Sequence, residues 1–171
     1  MKQQEFIKLV NPFKDKLFRI AKRMLISKEE AEDAIQEVLM RLWKKRESLT
    51  HYNNVEALSV TITKNYCLDQ LKSKRASNLQ LVHSNYKESS ATIDREIEGK
   101  ENWHWVEKII NELPEQQRLI IQMRDIEQME FNEIATILNM NETAIRVALS
   151  RARKIIRDKI TAIHNYGTGK S

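Results

Sequence analysis

Apolar side chains recur at intervals of three and four residues along most of this chain, the spacing that gathers them on one face of a helix. Phe6, Leu9, Val10, Phe13, Leu17, Ile20, Ala21 and Met24 predict a helix over residues 5–25, which Pro12 either kinks or truly begins. Ser27 suits an N-cap, with Glu29 and Glu30 in the first turn of a second helix running to about Lys45. Its apolar stripe is Ala31, Ile35, Val38, Leu39 and Leu42. After a turn-like Thr50–Asn54, a third helix over residues 55–75 carries Leu58, Ile62, Cys67, Leu68 and Leu71. Residues 102–113, a stretch from Pro114 through Met123, and the pair 131–138 and 142–160 follow the same rule. The 171 residues include only 3 Gly and 2 Pro, too little turn chemistry for a β fold. The chain is therefore expected to be all-α.

Between the two groups of helices the periodicity fades. Residues 76–100 are polar and read as a flexible linker, with a helix start possible at 92–100. The expected organisation is two small helical domains, 1–76 and 101–162, joined by the tether 77–100 and followed by a frayed tail over 163–171. The net charge is +5, and its distribution is uneven. Residues 1–75 carry 16 Lys/Arg against 10 Asp/Glu, whereas residues 144–160 concentrate six basic residues around one acid. A basic balance favours a polyanionic partner.

Several functions are disfavoured by what is missing. Cys67 is the only cysteine, which excludes an internal disulfide and a cysteine-based metal site and suits a small buried side chain. The four histidines (51, 83, 104, 164) are scattered, without metal-ligand spacing to carboxylates, and no glycine-rich phosphate loop occurs. No catalytic residue, metal or cofactor is expected. No stretch suits a signal peptide or a membrane span, so the expected location is cytoplasmic, without membrane insertion.

Residues 131–153, FNEIATILNMNETAIRVALSRAR, have helix-turn-helix spacing. Ile134, Ala135 and Leu138 supply the buried face of the first helix. Asn139 tolerates the positive φ a tight turn needs. Met140 and Ile145 would fill the angle between the helices, and Asn141 could cap the second. On that second helix Arg146, Val147, Ser150, Arg151 and Lys154, with Thr143 at its start, share one broad side. Arg reads guanine bidentately and either cation binds phosphate. The bland alternative is a basic amphipathic helix that is merely solvated.

The N-terminal half carries a different pattern. Glu30, Asp33 and Glu37 lie at i, i+3 and i+7 beside Gln36, on a face opposite the apolar stripe. This suggests a basic partner surface, or else local pairing such as Glu37 with Arg41. His51, Tyr52, Asn53 and Asn54 form the loop before the third helix, which carries Lys64, Asn65, Tyr66, Asp69, Lys72, Lys74 and Arg75. Cations interleaved with rings and amides suit contact with a nucleic-acid strand, although a lone Tyr more often packs than stacks.

These residues together resemble the extracytoplasmic-function sigma factors of bacterial RNA polymerase, over nearly the whole chain. Ala31–Val38 (AEDAIQEV), followed by Arg41-Leu42-Trp43, resembles region 2.2, which docks on the clamp helices of the β′ subunit. Asn65–Asp69 (NYCLD) resembles the segment that meets the minus-10 element, and Leu113-Pro114 with the helix-turn-helix ending Ser150–Arg153 (SRAR) resembles region 4, which reads the minus-35 element. The resemblance implies core-polymerase contacts from Glu30, Asp33, Gln36 and Glu37. It implies minus-10 contacts from His51, Tyr52, Asn53, Asn54, Lys64, Asn65, Lys72 and Arg75. Minus-35 contacts would come from Thr143, Arg146, Val147, Ser150, Arg151 and Lys154. A captured, flipped base would stabilise the melted promoter. Core RNA polymerase (β′ clamp helices and β flap), promoter DNA and a separate anti-sigma factor are the implied partners of a protein monomeric outside holoenzyme. The chain departs from the family pattern at Asn139, where Gly is common, at Ala144, where Thr is common, and at Ala148, where a larger polar residue is common. A helix-turn-helix regulator acting without polymerase would leave the acidic stripe idle; a helical enzyme and a protein-only adaptor are the remaining alternatives.

Overall fold

The computed structural model describes residues 1–80 and 98–167. Among these residues every regular element is helical: α1 (Gln3–Leu25), α2 (Lys28–Lys44), α3 (Arg46–Leu49), α4 (Val55–Gln80), α5 (Glu98–Glu112), α6 (Glu115–Ile121), a π-helical turn (Gln122–Ile126), α7 (Phe131–Leu138) and α8 (Glu142–Gly167). Pro12 does not begin α1; it lies well inside it, on the solvent side. The Ser27 cap forms, its Oγ accepting from the Glu30 amide at 3.3 Å. Asn54 does the same for α4, accepting from the Ala57 amide at 2.9 Å.

In the N-terminal unit α1 packs on both α2 and α4. Leu17, Ile20, Ala21 and Met24 meet Ala31, Ala34, Val38 and Leu42 from α2, and Val60 and Cys67 from α4, all essentially without solvent exposure. Each large apolar side chain buried this way contributes about 1.5–3 kcal/mol. The alanines let the helices approach closely. In the C-terminal unit α8 is the central helix, packed against α5, α6 and α7. Its Ile145, Leu149 and Ala152 are buried with Ile110, Ile120, Met123 and Ile134.

Two boundaries differ from the sequence reading. Helix α4 continues to Gln80, past the expected domain end, whereas α5 begins at Glu98, within the expected 92–100. Residues 81–97, most of the expected linker, lie outside the described residues. The supposed frayed tail is helical as far as Gly167, because α8 keeps propagating once nucleated; residues 168–171 lie outside the description. Pro114 caps α6 from the position before its first turn, where its carbonyl accepts from the Arg118 amide at 2.9 Å.

The two units are in contact. Helix α1 meets α6 and the π turn, and α4 meets α7.

Candidate nucleic-acid and polymerase interface

The helix-turn-helix is built as its residues require. Asn139 ends α7 with φ 52° and ψ 48°, in the left-handed region. Asn141 caps α8, its Oδ1 accepting from the Ala144 amide at 2.7 Å. Ile145 is fully buried in the angle between the helices, beside a partly buried Met140. Ile134 is buried as expected, while Ala135 and Leu138 are half-buried and Ile137 takes their place in the core.

Thr143, Arg146, Val147, Ser150, Arg151 and Lys154 are all exposed. They fall at i, i+3, i+4, i+7, i+8 and i+11, so one face of α8 presents all six. Val147, 42% exposed, is an apolar contact within a cationic face. Arg146 is held over the ring of Phe131 at 4.4 Å, with Arg124 at 4.2 Å from the same ring. Phe131 was not singled out from sequence, since one aromatic at a helix start reads as packing. Arg153 and Lys159, counted in the basic run, are committed elsewhere. Arg153 forks onto Asp125 at 2.5 and 3.0 Å, which keeps its guanidinium more firmly protonated, and Lys159 lies 3.5 Å from Glu112.

On α2 the acidic stripe divides. Glu30 is half-buried and ion-paired to Lys74 of α4. Glu37 binds Arg41 at 2.9 Å, the local pairing weighed above, and Arg41 also lies over Tyr66 at 5.2 Å. Asp33 and Gln36 are exposed. Met40 continues the same strip one turn on and is 54% exposed, an apolar group no charge pattern could have flagged.

The third group is spread along α4. His51, Tyr52, Asn53 and Asn54 are exposed at its N-terminal end. Asn65 and Lys72 are exposed farther along, on one strip. Lys64 and Arg75 lie on the neighbouring strip, which faces the C-terminal unit. Lys64 Nζ donates to the Ile137 carbonyl at 2.7 Å, and burial lowers its pKa. Arg75 is ion-paired to Glu115. Tyr66 packs partly against the core rather than standing free. Among the described residues no cluster of His, Cys, Asp or Glu could hold a metal ion, and no helix is long and apolar enough to cross a membrane.

A helical bundle followed by a helix-turn-helix is an arrangement of two-domain DNA-binding proteins. The family descriptions agree: sigma-70 region 2 matches residues 9–77, and sigma-70 region 4 matches residues 103–156. The chain belongs to the extracytoplasmic-function RNA polymerase sigma factors, the alternative sigma factors that bind core polymerase and direct it to promoters. It is 22% identical to the extracytoplasmic-function sigma factor SigW of Bacillus subtilis, covering 92% of this chain and 90% of that one. It is 25% identical to the sigma-E factor of Escherichia coli, covering 92% and 87%. Among solved structures the fold is similar to sigma factor RpoE of Bartonella quintana in complex with the anti-sigma factor NepR (TM-score 0.76, 23% identity, 92% and 98% covered). It is also similar to CnrH in complex with the cytosolic domain of CnrY (TM-score 0.66, 20% identity, 94% and 90% covered).

Proposed function

We propose that the three faces divide the work of initiation. Asp33, Gln36 and Glu37 hold the clamp helices of β′, with Met40 as an apolar centre and Glu30 bracing α2 against α4. Residues 51–54 with Lys64, Asn65, Lys72 and Arg75 hold the opened minus-10 strand. The α4 helix rises about 1.5 Å per residue, so the loop and Arg75 lie about 30 Å apart, room for several nucleotides. Thr143, Arg146, Val147, Ser150, Arg151 and Lys154 enter the major groove of the minus-35 element, and the C-terminal unit meets the β flap. The domain limits for this work are 1–76 and 101–162. The protein itself performs no chemistry, acts in the cytoplasm, and is held by a separate anti-sigma factor, as RpoE is in its complex with NepR.

The observation that carries the minus-35 assignment is the alignment of six exposed side chains on α8, with Arg146 braced by Phe131. Binding of holoenzyme to promoter fragments tests it. Arg146→Ala or Arg151→Ala should weaken binding by about 1–3 kcal/mol when the side chain reads a base, and relax sequence preference at one position. A side chain bound only to phosphate would instead weaken all sequences alike and shallow the salt dependence. No change with either variant would remove α8 from the groove.

A further inference from the structure

Five of the six side chains on the exposed face of α8 can donate or accept a hydrogen bond. Val147 can do neither, and it stands 42% exposed. A lone valine at a surface is ordinary; the position of this one is not. Successive residues of a helix are turned by about 100°. The direction opposite the buried line of Ile145, Leu149 and Ala152 therefore runs through Thr143, Val147 and Lys154. Val147 lies near the middle of the face, with Thr143 one turn before it and Ser150 and Arg151 one turn after.

Its neighbours leave it uncovered. Long cationic side chains commonly lay their stems over adjacent apolar groups. Arg146 instead carries its guanidinium aside, over the Phe131 ring at 4.4 Å, at the start of α7. Phe131, Arg146, Ser150 and Arg153 line one hollow on that flank. On the other flank, between Val147 and the buried line, stand Ala144 and Ala148, half-buried side chains of a single carbon. Neither rises as far as the valine. A helix lying in a major groove with this face inward brings the isopropyl group of Val147 against the base edges.

Those edges carry acceptors on guanine and adenine, amino donors on adenine and cytosine, and one apolar group, the C5 methyl of thymine. A valine pressed on a donor or acceptor strips its water and returns no hydrogen bond. Pressed on a methyl group it removes apolar surface from water on both sides. We propose that Val147 is a specificity-determining residue, selecting thymine at one position of the minus-35 element through contact with the C5 methyl. This rests on the minus-35 assignment of α8 above and names the base taken at the centre of that face. One helical turn advances about 5.4 Å, against about 3.4 Å per base step. A guanine read by Arg151 therefore lies within about two base pairs of that thymine.

The test uses holoenzyme reconstituted with the full chain. Its preferred minus-35 sequence is selected from promoter fragments randomised over that element. Each thymine of the selected element, on either strand, is then replaced in turn by deoxyuridine, which lacks only the C5 methyl. One replacement should weaken binding of the wild-type holoenzyme about fourfold, the worth of one buried methyl group. Val147→Ser, a change at an exposed position, should bind the thymine and deoxyuridine fragments equally while keeping its helical content. Val147→Ile, which keeps an apolar tip, should keep the discrimination. A flat deoxyuridine scan with the wild type would overturn the proposal. So would a penalty that persists undiminished in Val147→Ser, because the methyl group would then act through the shape of the duplex. The minus-35 assignment fails separately, if Arg146→Ala/Arg151→Ala leaves both the selected sequence and the affinity unchanged.

Discussion

Cys67 shows how completely one position can be committed to packing. It is fully buried beneath α1, and burial drives its thiol up to about 12. The folded chain therefore binds one more proton than the unfolded chain between the usual thiol range and about 12. This contribution to stability is present at neutral pH and is lost as pH rises through that window. Unfolding midpoints measured at pH 8 and pH 11 should fall less in Cys67→Ala than in the wild type, once the cavity cost of the substitution is subtracted. An equal fall in both would mean the thiol does not titrate as its burial requires. Ile26, with φ 53°, is the opposite kind of residue, a β-branched side chain left in the left-handed region at the end of α1 and 50% exposed. It costs about 1–2 kcal/mol that the tight α1–α2 connection offsets.

At the scale of elements, the turn between α7 and α8 depends on two asparagines with different tasks. Asn139 takes the left-handed conformation and Asn141 takes the cap. Asn141→Ala should lower stability by about 1 kcal/mol, read as an earlier denaturant midpoint at unchanged slope. A change under a few tenths of a kcal/mol would show that the cap is replaceable by solvent. Both tasks were legible in the sequence because each is local: a backbone conformation and a hydrogen bond three residues away. The Ser27 cap was legible for the same reason. Helix limits were less so. Residues 76–80 continue α4, since a helix once formed extends at little cost per residue. The π turn at Gln122–Ile126 left no periodic trace, because it breaks the spacing that periodicity detects.

The surfaces follow the same division over the whole molecule. Faces defined by spacing on one helix, such as the six residues of α8, could be read directly. Pairings across the fold could not. Nothing in the order of residues joins Glu30 to Lys74, Arg23 to Gln122, or Lys64 to the end of α7, since each pair depends on how separate helices cross. The excess positive charge of the N-terminal half reads in sequence as an attraction to DNA. Part of it is spent within the molecule, on the C-terminal unit.

In the proposed division of work the exposed face of α2 brings this chain to polymerase, and the remaining faces then select a promoter. Run-off transcription tests it most directly, with purified bacterial core polymerase and genomic promoter fragments of the source organism. The wild type is compared with Asp33→Arg/Glu37→Arg, a pair of exposed or half-exposed positions whose reversal leaves the core untouched. Specific transcripts are expected from the wild type and at least a hundredfold loss in the variant, about 2.7 kcal/mol of docking energy, with its helical content and unfolding midpoint preserved. Full transcription from a folded variant would rule out docking through α2, and no transcripts from the wild type, with no binding to core, would rule out promoter selection by this chain.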